Sequence, residues 1–299
     1  MEKARLSVCI ATHNEEKNIA TCLKSVYDLA DEIVLVDGES TDKTVDIAKK
    51  FGPKVKVFKT GNKAMFHINK QLSLEKATGE WILQLDADEV VSEELRREIG
   101  EITNDKSTAS NAADANYPTS PQVLGASLGA SNSNLKLAQP LAYWMPRLNY
   151  FLGAPLRKGG QYPDYTLRFY KNGVAHFPCK SVHEQVEIQV KSQKSKVKSN
   201  EEIGYLKSDL LHYPYPNFEA YLEKWARYSK LEAQLSLGEF RFSLWSFLEY
   251  FVIKPKAWFF WTYFRHKAFV DGVPGFVFSL FSALRFPLIY IFAYEQKKS

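Results

Sequence analysis

Apolar and polar positions follow two rhythms along the chain, and the change between them divides it. Up to about Ile102, short β-rich runs alternate with stretches of helical spacing, the pattern of an α/β domain with a mostly parallel sheet. The runs 6–12, 32–37, 55–59 and 81–86 predict strands. The stretches 16–27, 43–50 and 64–76 predict helices, with Ser40 or Thr41 as a helix cap. Three strands end in polar residues: 12–15, 37–42 and 86–89. Ligands of open α/β sheets sit beyond the carboxyl ends of the strands, so these three ends are expected to meet in one crevice.

Residues 104–134 are rich in Ser, Asn, Ala and Gly with little periodicity, which reads as a surface insertion or as a lid. Sheet-like sequence returns over 141–183, with turns at Lys158-Gly159-Gly160 and Lys171-Asn172-Gly173. A polar Lys/Ser-rich loop follows at 193–199, and helical spacing at 217–235. Three strongly apolar, aromatic segments, 245–253, 257–268 and 274–294, close the chain.

Charge changes the picture only once it is located. The net charge is +5, and residues 241–299 alone hold eight Lys/Arg against three Asp/Glu. Those residues also contain 19 of the 42 aromatics, a combination that points to a surface-binding region. The three cysteines, Cys9, Cys22 and Cys179, are odd in number and lie among apolar neighbours, so they read as reduced thiols and suggest no disulfide framework or zinc cluster. The apolar run 6–11 is too short for a signal-peptide core, which predicts a cytoplasmic protein.

The chemistry is concentrated at the strand ends. A buried strand delivers Asp86 and Asp88, spaced by one residue, so that both carboxylates face the crevice. Such hard oxygen ligands suit Mn²⁺ or Mg²⁺, which would also neutralise a diphosphate. A lone acidic pair is equally the mark of a solvated strand end. Asp37 on the neighbouring strand, followed by Gly38 and capping residues, and Thr12, Asn14 and Glu15 on the first, add the neutral recognition that a nucleotide requires. No Gly-x-Gly-x-x-Gly follows the first strand, which disfavours a dinucleotide-dependent dehydrogenase.

Residues 6–15, 33–42 and 77–89 resemble the N-terminal motifs of family 2 glycosyltransferases. The chain is also similar to enzymes of the bacterial lipopolysaccharide core β-glucosyltransferase type in Asp86-Ala87-Asp88-Glu89, Tyr162-Pro163-Asp164, Val182-His183-Glu184 and Asp271-Gly272. The resemblance implies a GT-A fold: a Rossmann-like mixed sheet with helices on both faces, here followed by C-terminal amphipathic helices. It implies a UDP-sugar donor and inversion at the anomeric carbon. Carried onto this chain, it makes Asp37 the base-recognition residue, Asp86 with Ala87 a donor contact, Asp88 a metal ligand and His183 a second ligand. Lys70 stands where relatives carry a basic residue, although Asn69 and Gln71 depart from the usual pattern. Arg168 is a phosphate contact or the partner of a carboxylate. Asp164 matches the acidic position used as general base, and Glu184 is the alternative.

These readings define a catalytic domain over 1–240, with a nucleotide-binding half (1–102), an insertion (about 103–138) and an acceptor half (139–240). A basic, aromatic, membrane-associating region occupies 241–299. Arg285 and Pro287 inside the last apolar stretch favour helices lying in the membrane interface over one that spans it. An aromatic cap packed on the catalytic domain, or a homo-oligomer interface, is the competing reading. The expected partners are a UDP-sugar, a membrane-associated glycan or lipid-linked acceptor, and the inner face of the cell membrane, with no nucleic acid. The alternative functions are transfer to a polyprenyl phosphate and a non-catalytic nucleotide-binding membrane module.

Overall fold

A computed structural model describes residues 5–62, 66–104, 140–179, 186–188 and 203–298. The first half alternates as its pattern predicts: β1 (Leu6–Thr12), α1 (Ile19–Val26), β2 (Glu32–Gly38), α2 (Thr44–Lys49), β3 (Val55–Thr60), α3 (His67–Lys76), β4 (Trp81–Asp86), β5 (Glu89–Val91) and α4 (Glu93–Asn104). The second half is strand-rich, with β6 (Ala142–Phe151), β7 (Ala154–Pro155), β8 (Asp164–Lys171), β9 (Ala175–His176), β10 (Glu187–Ile188), β11 (Ile203–Tyr205) and β12 (Leu210–His212). Four α-helices follow, joined by short 3₁₀ and π turns: α5 (Phe218–Ser236), α6 (Leu244–Leu248), α7 (Lys254–Phe260) and α8 (Gly272–Lys298).

One sheet runs β3-β2-β1-β4-β8-β6-β12-β5, with β7 and β11 attached to β6. The four strands β3, β2, β1 and β4 are parallel, whereas β4 and β8, β8 and β6, and β12 and β5 pair antiparallel. The mostly parallel expectation therefore holds for the first half, and the whole sheet is mixed. β1 and β2 are buried along their full length, as strands covered on both faces must be. Leu6, Val8 and Ile10 pack with Ile19, Leu23, Leu95 and Ile99 of α1 and α4 on one face; Cys9, Val34 and Ile82 pack with Leu74 of α3 on the other. Cys9 and Cys22 are free and buried, and burial pushes both thiols up.

Neither Ser40 nor Thr41 caps α2, which is preceded by Lys43 with no side-chain cap. Both side chains are engaged at the neighbouring strand end. Asn14 N donates to Ser40 Oγ at 2.9 Å, and Thr41 donates to Asn14 Oδ1 from Oγ1 at 3.3 Å and from its backbone N at 2.8 Å. Asn217 does cap α5, its Oδ1 accepting from Ala220 N at 2.8 Å.

The C-terminal helices pack on the far end of β6. Phe151, Leu156 and Tyr221 form a buried cluster to which Trp225, Phe278 and Phe281 add. Lys158 N donates to Asp271 Oδ2 at 2.7 Å and Gly159 N to His266 O at 2.9 Å. The Gly159-Gly160 turn and the Asp271-Gly272 pair, distant in sequence, are thus two sides of one junction. Residues 268–298 are long and apolar enough to cross a membrane; their 18-residue apolar window has a mean hydropathy of 1.8 and is 22% buried. α8 is apolar around most of its circumference, so its character comes from composition more than from a one-sided stripe.

Candidate functional site

The sheet register assembles the site. Thr12 pairs with Asp37 across β1 and β2, and Ala11 with Asp86 across β1 and β4, so the three polar strand ends do converge. Asp37 is buried; its Oδ2 accepts from Ser40 N at 3.1 Å and its Oδ1 from Thr12 Oγ1 at 3.4 Å. Gly38 lets the chain pass close beside it: a Cβ there would lie 3.0 Å from the Asn69 amide and 3.4 Å from Thr12 O, so a larger residue would have to displace the Asn69 side chain slightly. Glu15 is anchored through its backbone N to Thr44 Oγ1 at 2.7 Å. Its pKa is raised, first by burial and then by the charges of Asp88 and Asp86, which places its carboxylate in their field.

Asp86 lies in a buried ion cluster. Lys70 Nζ is 2.5 Å from its Oδ1, and Arg168 Nη2 is 2.6 Å from its Oδ2. Arg168 also reaches Glu89 Oε1 at 3.0 Å and donates to Gln84 Oε1, and Asp86 N donates to Glu89 Oε2 at 2.9 Å. Burial works against the charge on Asp86, but Arg168 and Lys70 hold its pKa well below the usual carboxylate range. Burial likewise opposes the charge on Arg168, where Asp86 and Glu89 prevail and raise it. Lys70 is lowered, because burial and the nearby Arg168 outweigh the attraction of Asp86. Arg168 therefore has carboxylate partners, Glu89 fully buried and Asp86 partly exposed.

Asp88, two residues on, faces a different set. Its Oδ2 is 3.5 Å from His212 Nε2, and both side chains are partly exposed, 23% and 15%. On the other side of the ring, His212 Nδ1 is 2.6 Å from Asn149 Oδ1. An amide oxygen can only accept, so Nδ1 carries a proton, and in the neutral ring the lone pair is then on Nε2, toward Asp88. This donor set fits a divalent cation: one carboxylate and one neutral imidazole, oriented by a hydrogen bond from behind and separated by a distance that an ion can bridge. The nitrogen ligand suits Mn²⁺ better than Mg²⁺, which takes oxygens. Among the described residues, no group of three or more His, Cys, Asp or Glu forms a metal cage, so donor oxygens would complete the coordination.

The same register carries the row onward. His212 pairs with Asn149 across β12 and β6 and with Glu89 across β12 and β5, while Arg147 pairs with Asp164 across β6 and β8. Asp164 Oδ2 accepts from Arg147 Nη2 at 2.6 Å, Arg147 Nε at 3.0 Å and Asn149 Nδ2 at 3.3 Å. All three bonds fall on one oxygen, leaving Oδ1 of a side chain that is 39% exposed. Burial opposes the charge on Arg147, but Glu89 and Asp164 outweigh it and raise its pKa. Asp164, Asn149 and His212 line a 240 Å³ cavity; Asp88 and Ala87 line a neighbouring one of 330 Å³, and Tyr215 and Tyr150 are walls of both.

Sequence reading thus located Thr12, Asn14, Glu15, Asp37, Lys70, Asp86, Asp88, Asp164 and Arg168 in one region, and missed His212, Arg147 and Asn149. The signal for the last two was present: polar residues at i and i+2 in an otherwise apolar β6 share one face. His183 and Glu184 lie outside the described residues, as does the insertion after Asn104.

Residues 7–124 match the family described as glycosyl transferase family 2. An uncharacterized glycosyltransferase of Rickettsia typhi is 41% identical over 96 residues, which are 32% of this chain and 32% of the relative. The SPbeta prophage-derived glycosyltransferase SunS of Bacillus subtilis is 40% identical over 93 residues, 31% of this chain and 22% of that protein. The matched stretch spans a third or less of each relative's length. Among solved structures, TarS 1–349 of S. aureus in complex with UDP aligns over 97% of this chain and 87% of that one, at 15% identity and a TM-score of 0.43.

Proposed function

We propose that the protein transfers a sugar from a nucleotide sugar, a UDP-hexose by resemblance, to a hydroxyl of a membrane-associated glycan or lipid-linked acceptor, with inversion. The observation that carries this reading is the continuous row Asp88, His212, Asn149, Asp164, which sets a cation-binding pair and a carboxylate with a free oxygen in adjoining cavities. Asp37 and the 12–15 segment recognise the nucleoside. Asp88 and His212 hold a divalent cation, which supplies neutralisation of the diphosphate when bound. Asp164, oriented by Arg147, accepts the proton of the attacking hydroxyl through Oδ1. Lys70 and Arg168 keep Asp86 ionised and fixed at the crevice floor.

Residues 1–240 are read as catalytic and 241–299 as the membrane-associating part, at the cytoplasmic face. α5 packs along α8 and carries Glu223, Lys224, Arg227 and Lys230. Inserting α8 across a bilayer would draw those charges with it, which favours an interfacial position. The test is isothermal titration of UDP with and without Mn²⁺, on the full chain and on Asp88→Asn. Mn²⁺-dependent UDP binding that is lost in the variant supports the reading; no nucleotide binding in either would sink it.

A further inference from the structure

Beyond the row of Asp88, His212, Asn149 and Asp164, a cavity of 450 Å³ lies between α5, the 258–266 segment and α8. It adjoins the Asp164 cavity, with which it shares Gln161, Tyr215 and Phe278 as walls. Its lining is chemically unusual. Trp225, Trp258, Trp261 and Tyr228 supply aromatic faces, Gln161 and Glu232 supply hydrogen-bonding groups, and no Leu, Ile or Val lines it among the described residues. A channel for a lipid chain would be aliphatic. Flat aromatic faces interspersed with amide and carboxylate groups match a saccharide, whose C–H faces stack on rings while its hydroxyls bond at the edges.

One wall residue narrows the class. Arg285 Nε is buried with no hydrogen-bond partner, and its guanidinium lies 4.8 Å from the Trp258 ring centroid and 4.9 Å from that of Phe286. No carboxylate forms an ion pair with it among the described residues, Glu232 of the same cavity included. A guanidinium held on an aromatic face with an unused donor is suited to a phosphate or carboxylate. Trp225 is itself fixed, its Nε1 donating to Phe281 O at 3.0 Å, so the wall is largely preformed.

We propose that this cavity is the acceptor subsite and binds a sugar carrying an anionic substituent, the anion on Arg285 and the rings on Trp258 and Trp225. The acceptor role rests on the transfer reaction proposed above; the binding itself does not. The test is titration calorimetry, with saturation-transfer NMR on the sugar protons, using glucose 6-phosphate, glucuronic acid, glucose, inorganic phosphate and phosphatidylglycerol vesicles as probes of the full chain. Saturable binding of at least one anionic sugar, tighter than glucose or phosphate alone, is expected. It should weaken about ten-fold or more in Arg285→Gln and vanish in Ser282→Phe, which fills the cavity, while Mn²⁺-UDP binding is retained in both. Unchanged sugar binding in both variants would overturn the proposal, as would equal binding of glucose, equal binding of phosphate alone, or a response to vesicles only. Loss of Mn²⁺-UDP binding in the unaltered protein would count against the transferase reading and leave the sugar titration readable.

Discussion

His212 Nε2 stands 3.5 Å from Asp88 Oδ2, although the two residues come from opposite halves of the chain. β12 brings them together by lying between β6 and β5, with His212 in register with Asn149 on one side and Glu89 on the other. Because Asn149 fixes the ring and its tautomer, the pair is organised before any ligand arrives. His212→Ala is expected to weaken Mn²⁺ binding in the presence of UDP by at least about ten-fold, and Asn149→Ala by roughly 10–100-fold, the range for lost orienting partners. Paramagnetic titration of free Mn²⁺ measures both. Unaltered affinity in His212→Ala would remove His212 from the site.

Asp164 makes a separable prediction. Its Oδ2 is committed to Arg147 and Asn149, so the amide in Asp164→Asn can retain those contacts while losing the basic oxygen. Sugar transfer is expected to fall about 10²–10⁴-fold, with Mn²⁺-UDP affinity unchanged. A variant that transfers at a near-normal rate would point to an acceptor that is already ionised, such as a phosphate.

Glu32 ties the start of β2 to its neighbours and gives the fold a pH dependence. Its Oε1 accepts from Ser7 Oγ at 2.6 Å, Thr78 N at 2.6 Å and Thr78 Oγ1 at 2.7 Å, and its Oε2 is 2.5 Å from Lys56 Nζ. Burial alone would raise its pKa; Lys56, Ser7 and Thr78 overcome burial and lower it from 4.5 to about 2. A depressed folded-state value stabilises the protein above the unfolded value, and that contribution is lost as pH falls from about 4.5 through about 2. Its size is on the order of 3 kcal/mol at most. Glu32→Gln should therefore lower the urea midpoint at pH 7, and the gap to the unaltered protein should narrow as pH approaches 2. A gap independent of pH would show that the carboxylate's charge contributes nothing.

The parts of this molecule that are local in sequence were the legible ones. Strands such as Leu6–Thr12 and Trp81–Asp86 announce themselves by runs that are apolar but for Ser7 and Gln84, and their polar ends follow directly, so Asp37, Asp86 and Asp88 could be placed together from the sheet's topology alone. His212 could not, because its role depends on the register of a three-residue strand, which carries no periodicity of its own. Ser40 and Thr41 illustrate the converse failure. Both have the local chemistry of a helix cap, yet Asn14, with φ at 56°, presents its backbone N–H and side-chain oxygen to them from the adjacent loop. Tertiary pairing took the groups that the local pattern had assigned to the helix.

The outer face of the C-terminal helices leads to the last prediction. Leu244, Trp245, Phe260 and Val273 are between 60% and 78% exposed, far more than a soluble surface helix leaves to water. Lys254, Lys256, Arg265 and Lys267 accompany them along the same segment. Apolar side chains entering the acyl boundary beside cations at the headgroups give binding that depends on both area and lipid charge. The full chain should sediment with vesicles containing phosphatidylglycerol, more weakly with neutral ones, and less as salt rises. Trp245→Ser combined with Phe260→Ser should reduce that binding by more than about ten-fold, since each removed aromatic forfeits roughly 1.5–3 kcal/mol of burial. Mn²⁺-UDP affinity should be untouched, because neither residue lines the cavities of Asp88 and Asp164. Alkaline carbonate should release the protein from membranes if α8 lies in the interface, held by α5. Retention after carbonate, with the double variant still bound, would instead show α8 crossing the bilayer and α5 detached from it.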